Sequence, residues 1–202
     1  QAGRLAPILE STRQSVEARK RAIPRSELDR RCGHHPFHRG EFLAALDAPG
    51  LSVIAEFKRR SPSAGALADA NLEATLDIYK SHGADAFSIL TDEAHFGGSL
   101  ADLQRAAQYA VPCLRKDFIL DEYMAMEARA SGASALLLIA RLFEAEELAA
   151  LTAFAALTER AHRRKDGGSV TLLLLQPVLL QLLSLARRRL RRPRSNRSPQ
   201  YK

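Results

Sequence analysis

The sequence predicts an α/β fold, a (β/α) barrel rather than an open doubly wound sheet, on three observations. Short apolar strands and helices alternate four times at intervals of about 24 to 33 residues, which calls for parallel strands joined by helical crossovers. No Gly-x-Gly-x-x-Gly follows the first strand, so the phosphate fingerprint of a doubly wound sheet is missing. Charged side chains stand at the ends of more than one strand, as they do in a barrel whose chemistry gathers at the C-terminal strand ends.

In chain order, Leu5, Leu9, Val16 and Ile23 recur among many charges and predict a loosely amphipathic helix from Leu5 to Ala22, with Pro7 tolerated in its first turn and Pro24 ending it. Ser26 is placed to cap a short helix through Arg31. Cys32-Gly33-His34-His35-Pro36-Phe37-His38 reads as a turn-rich link. It holds four potential metal ligands, but no second Cys/His pair lies at zinc spacing and no metal is expected. A helix from Glu41 to Leu46 leads through Pro49-Gly50 to the first strand, Val53 to Phe57.

A helix from Leu72 to His82 follows, with Asn71 as cap and Gly83 as stop, and then the strand Ala86 to Leu90. Ser99 and Asp102 take capping positions of a helix running to about Tyr109. The third strand, Val111 to Leu114, delivers Arg115-Lys116-Asp117-Phe118 at its end. Asp121 caps a helix through Ala130 that Gly132 stops. Ala135 to Ala140 is the fourth strand, and a helix from Glu144 to about Arg160 completes the unit.

Composition bounds the function. The 202 residues carry a net charge of +7, but it is unevenly placed. Residues 1–161 hold 19 Lys and Arg against 22 Asp and Glu, a net −3, whereas residues 162–202 hold 11 against 1, a net +10. The body therefore offers no electrostatic case for specific nucleic-acid binding. Cys32 and Cys113 are too few for a disulfide framework, and no secretory signal opens the sequence, so a reducing cytoplasm is the expected setting.

The chemistry begins on the first strand. Side chains alternate faces along a strand, so Glu56 and Lys58 project together with Ile54 behind them. Ser61, Ser63 and Gly65 follow where Pro62 restrains the backbone and Gly65 permits close approach, a cradle suited to an anionic group such as phosphate. The plain alternative is a strand that finishes at the surface with a solvated ion pair.

Three segments, Ile54-Ala55-Glu56-Phe57-Lys58-Arg59-Arg60-Ser61-Pro62-Ser63-Ala64-Gly65, then Ser88-Ile89-Leu90-Thr91-Asp92 with Phe96-Gly97-Gly98-Ser99-Leu100, then Leu114-Arg115-Lys116-Asp117-Phe118-Ile119 with Glu127-Ala128-Arg129, resemble the successive motifs of indole-3-glycerol phosphate synthase. The likeness covers roughly residues 5–161. It implies the TIM-barrel (β/α)8 lineage, here an N-terminal half of about four βα units behind a helical extension that in the family lies over the mouth of the barrel. It also implies an enzyme of tryptophan biosynthesis, a carbon–carbon lyase that converts 1-(2-carboxyphenylamino)-1-deoxyribulose 5-phosphate to indole-3-glycerol phosphate with loss of carbon dioxide and water, without metal or organic cofactor. By the resemblance Lys116 is the general acid, Lys58 holds the substrate carboxylate, and Glu56 orders the lysines and the substrate. Ser61 contacts phosphate and Phe118 walls the anthranilate pocket, core packing being the alternative for Phe118. Asp117 reads as a structural partner of Lys116, while Arg115 alternates away toward helix termini or carboxylates of the outer layer. Ala64 stands where the family usually has lysine.

Three regions result: a helical extension over residues 1–50, a partial barrel over 51–161, and an atypical Leu/Arg-rich tail over 162–202. After His162 the family's fifth strand with its glutamate general base, and the later units with their asparagine, serine and glycine-rich phosphate site, have no counterpart. A leucine-rich run from Val170 to Ala186 and an arginine cluster from Arg187 to Arg197 stand in their place. The run falls short of the roughly 20 apolar residues of a membrane span, and the cluster lacks aromatics to stack bases. A four-stranded piece of a barrel exposes two apolar edges, which Thr171 to Leu175 would cover by adding a fifth strand, or a second chain by associating edge to edge. The alternative function is a truncated or frameshifted, noncatalytic half-barrel that binds a sugar phosphate or a partner chain.

Overall fold

A computed structural model of the chain describes residues 2–32, 41–47, 49–62, 65–67, 71–161 and 171–175. It opens with three helices, α1 (Ala2–Ala22), α2 (Arg25–Cys32) and α3 (Glu41–Asp47). Because α1 begins at Ala2, Pro7 lies inside it rather than in its first turn, and because α2 begins at Arg25, Ser26 is a helical residue and not a cap.

The repeating part starts with β1 (Ile54–Phe57), followed by a two-stranded hairpin of β2 (Arg60–Ser61) and β3 (Gly65–Ala66). Then come α4 (Leu72–Ser81), β4 (Ala86–Leu90), the single-turn α5 (Glu93–Phe96), α6 (Leu100–Ala106), β5 (Cys113–Lys116), α7 (Glu122–Ala130), β6 (Ala135–Ile139), α8 (Ala145–Ala161) and β7 (Thr171–Leu175). The helix starts follow from side-chain capping. Asn71 Oδ1 accepts from the Ala74 N–H at 2.9 Å, Ser99 Oγ from Asp102 at 3.1 Å, and Asp121 Oδ1 from Met124 at 3.0 Å, each satisfying a donor that the first helical turn leaves free. Gly83 and Gly132 take left-handed angles, φ +80° and +82°, just past the ends of α4 and α7.

The third strand of the expected pattern begins two residues later than the sequence suggests, at Cys113. Pro112 has no N–H for the ladder, and only its carbonyl takes part, accepting from Phe87 at 2.9 Å. Lys116 is thereby the last residue of β5.

The main sheet runs β1-β4-β5-β6-β7, every pair parallel, each strand beside the one before it in the chain. A doubly wound sheet would reverse direction at a switch point, so this order marks the partial TIM barrel. Thr171–Leu175 pairs with Ala135–Ile139 residue for residue and supplies the fifth strand. The arginine cluster lies outside the described residues.

Two apolar layers flank the sheet. Phe57, Phe87, Ile89, Leu136 and Leu138 point to the helices and join Leu76, Leu103, Met124 and Met126, and the same core takes in Val16, Leu28 and Cys32 of α1 and α2. On the concave face Ala86, Leu114, Ala135 and Leu137 close around Phe42, which is fully buried. The helical extension thus goes to two places. Its first two helices pack with the outer layer, where the Tyr123 hydroxyl shares its one proton between the Arg19 and Ile23 carbonyls at 3.0 and 2.9 Å, and α3 fills the N-terminal end of the barrel interior. At the free edge of β1, Leu51 (89 % exposed) and Val53 (46 %) face solvent, and Ile54, on the same face as Glu56, is 39 % exposed.

Candidate active site

The concave face carries its charges on one level. Glu56 stands on β1, Lys58 one residue past that strand's end, and Lys116 at the end of β5. Glu56 joins them: Lys58 Nζ donates to its Oε1 at 2.7 Å, and Lys116 Nζ lies 2.8 Å from its Oε2. All three side chains are about one-third exposed, open to a ligand entering from the C-terminal end. β4 lies between β1 and β5, so the Glu56–Lys116 pair arches over the inward residues of β4, Ser88 and Leu90. Burial raises the Glu56 pKa, but the hydrogen bonds and charges of Lys116 and Lys58 outweigh it and hold the carboxyl below its ordinary value. A carboxylate between two ammonium groups presents two cations side by side to a bound anion.

Behind Lys116 the sheet is braced by a second set of charges. Arg115 is fully buried; its Nη1 donates to the Met124 carbonyl at 2.6 Å, Nη2 reaches Asp117 Oδ2 at 3.0 Å, and both nitrogens lie 3.4 Å from Glu127 Oε2. Arg115 therefore does serve the outer layer. Asp117, expected beside Lys116, instead bonds Arg115 and Thr91 Oγ1 and accepts from the Phe118 N–H at 2.8 Å. The reason is alternation: neighbours on a strand point to opposite faces, so Asp117 shares the face of Arg115. Thr91 N–H in turn donates to the Lys116 carbonyl at 3.2 Å, fixing the backbone that carries the lysine.

Ser61 and Gly65 face each other in the register of the β2–β3 hairpin, just beyond Lys58. Ser61 is half-buried. Gly65 has φ +70° with no atom within 4 Å of where a Cβ would be, so the turn's left-handed geometry, not crowding, requires glycine. Ser63 lies outside the described residues. Phe118 is half-buried two residues past Lys116.

The hairpin is anchored by groups the sequence reading left unassigned. Arg59 forks onto Asp102 of α6, with Nη2 2.9 Å from Oδ1, and donates to the Gly97 carbonyl at 3.1 Å; Arg60 donates to the Glu93 carbonyl at 2.6 Å. Alternation was the available signal, since Arg59 must face away from Lys58. Among the described residues no group of three or more His, Cys, Asp or Glu is placed to hold a metal ion, and no helix is long and apolar enough to cross a membrane. The histidines of the Cys32–His38 link lie outside the described residues.

Residues 5–159 match the family described as indole-3-glycerol phosphate synthase. The chain is 45 % identical over 149 residues to the indole-3-glycerol phosphate synthase of Saccharopolyspora erythraea, covering 73 % of this chain and 55 % of that protein. It is 54 % identical over 115 residues to indole-3-glycerol phosphate synthase 2 of Streptomyces coelicolor, covering 56 % and 45 %. With the enzyme of that name from Micrococcus luteus it shares 42 % identity over 161 residues, 77 % of this chain and 59 % of the other. The chain thus spans about half the length of the curated relatives it matches.

Proposed function

The chain belongs to the indole-3-glycerol phosphate synthase family, and on that premise we propose that it acts on 1-(2-carboxyphenylamino)-1-deoxyribulose 5-phosphate in the cytoplasm, closing the indole ring with loss of carbon dioxide and water. The observation that carries this reading is the single carboxylate of Glu56 held between Lys58 and Lys116 at 2.7 and 2.8 Å. In the proposed cycle the substrate carboxylate displaces Glu56 from Lys58, and Lys116 gives its proton to the ribulose carbonyl oxygen as the ring carbon bonds to that centre. Carbon dioxide and water then leave. In the free site Glu56 holds the two lysines a fixed distance apart, so that on binding one is placed to grip the carboxylate and the other to face the carbonyl. Ser61, Ser63 and Gly65 are proposed to meet the phosphate, and Phe118 the aromatic ring.

Fluorescence-detected formation of indole-3-glycerol phosphate by this chain, beside its Lys116→Ala variant, tests the reading. Turnover abolished by the substitution is the expected result. Turnover unchanged in the variant, or none from a folded parent chain, overturns it.

A second reading is favoured by the free edge of β1, the end strand of the sheet, beside which Leu51 and Val53 are exposed: the chain associates through that edge with a second copy, as a noncatalytic sugar-phosphate binder.

A further inference from the structure

Ser88 occupies an unusual place on the concave face. It lies in one row with Glu56 of β1 and Leu114 of β5, directly across the ladder from each. Same-row side chains on adjacent strands stand about 5 Å apart, within reach of a glutamate side chain. Ser88 is only 4 % exposed, and its hydroxyl is buried without a hydrogen-bond partner among the described residues. A buried hydroxyl left unpaired costs free energy that alanine, which stands in the same row of β6 as Ala135, would not. The Glu56–Lys116 pair spans the strand that carries Ser88, with Glu56 Oε1 bonded to Lys58 and Oε2 to Lys116.

We infer that Ser88 is a positioning residue for Glu56: when a ligand oxygen draws Lys116 away, the Ser88 hydroxyl donates to the freed carboxylate oxygen. The inference rests on the reading of Lys116 as the group that engages the substrate. In the resting site the two ammonium groups draw the Glu56 carboxylate toward themselves, and the Ser88 hydroxyl makes no hydrogen bond to it. Once Lys58 has passed to the substrate carboxylate and Lys116 turns to the carbonyl, Glu56 has lost both cations, and a neutral donor on the neighbouring strand keeps it ionised and in place. A serine that served only packing would have the same energetic effect whether Lys116 were present or not.

A double-mutant cycle on the full chain separates these cases without requiring turnover. Lys116→Met keeps the lysine's aliphatic stem and removes its charge, mimicking departure; Lys116→Gln is the second background should the first not fold. Ser88→Ala alone is expected to leave Tm unchanged or raise it by about 1–2 °C, whereas in the Lys116→Met background it lowers Tm by roughly 4 °C. Equal shifts in the two backgrounds overturn the inference, and so does a large fall in the parent. Carbon-13 titration of the Glu56 carboxyl supplies a readout that packing alone would not move: the double variant titrates at higher pH than Lys116→Met. Coincident titrations overturn the inference. Failure of the parent chain to turn over substrate, with the cycle as expected, would reject the enzymatic reading and retain the Ser88–Glu56 coupling.

Discussion

Arg19 of α1 grips Glu127 of α7 through both carboxylate oxygens, Nε to Oε1 at 2.6 Å and Nη2 to Oε2 at 3.1 Å. Glu127 is 2 % exposed and is shared with Arg115, so α1 completes the charge set that braces the strand carrying Lys116. Burial disfavours the Arg19 charge, but the hydrogen bonds and charge of Glu127 more than compensate, and its pKa stands above the ordinary value. Replacing Arg19 by Met leaves one buried carboxylate short of a donor. Because Arg19 is itself one-third exposed, the expected loss is about 1–3 kcal/mol in urea unfolding, below that of a fully buried pair. A change within about 0.5 kcal/mol would show that the contact carries no stability.

The two glycines before α6 are expected to respond differently to alanine. A Cβ on Gly98 would sit 1.9 Å from the carbonyl oxygen of Leu90, the last residue of β4, which is backbone held between two neighbouring strands and cannot yield. Gly98→Ala is expected to lose more than about 3 kcal/mol or fail to fold. Gly97 has φ +66° and its nearest neighbour would be Arg59 Cβ at 3.2 Å, so Gly97→Ala should lose roughly 1–2 kcal/mol. Thermal unfolding of the two variants side by side checks the order; the reverse order contradicts it.

Acid should unfold the chain through carboxylates that are ion-paired in the native state. Asp102 is raised by burial but brought below its ordinary pKa by Arg59, Ser99 and Arg105; Glu56 is lowered in the same way by its lysines, and Glu27 falls to about 2 beside Arg30 and Arg31. A lowered native pKa means that the folded chain binds fewer protons than the unfolded one. The stability these groups give is present above about pH 4.5 and lost as pH falls through the folded values. The urea midpoint is expected to hold from pH 7 to about 5 and then to drop. Asp102→Asn lowers the midpoint at pH 7, and its gap to the parent should close toward about pH 2–3. A gap that widens in acid would reverse the assigned sign.

Lysine on the bare side of β1 should suppress association. Leu51→Lys with Val53→Lys places charge where an incoming strand would pair. Sedimentation of the parent is expected to show a species larger than the monomer at micromolar concentration and above, and the double variant a monomer. A monomeric parent removes the case for edge-to-edge pairing.

Much of the fold could be read from the sequence because its signals are local. Asn71, Ser99 and Asp121 are capping residues before apolar periodicity, and each caps the helix it precedes. The single turn of α5 and the two-residue strands β2 and β3 were not legible, since neither is long enough to display a period. At the site, alternation placed Glu56 and Lys58 on one face and Arg115 on the other, which is how the structure arranges them. That Lys116 reaches Glu56 across an intervening strand depends on strand order, and no single strand's sequence contains it. Asp117 bonds Arg115 rather than Lys116, as the same alternation rule requires. The resemblance puts the helical extension over the barrel mouth, but the place of α3 is not written in its own sequence, because Phe42 packs only among residues from three different strands.

The strand order also gives folding a direction in time. Every strand of the main sheet docks on the one synthesised just before it, so the sheet can lengthen as the chain leaves the ribosome, each addition of about 30 residues arriving over seconds. Short separations in sequence favour rapid pairing. The first helix has the opposite history. Arg19 emerges early, but Glu127, 108 residues away, must be made before α1 has its partner. Among the described helices α1 therefore waits longest with its apolar stripe uncovered, and a nascent chain halted before α7 would present that stripe to chaperones.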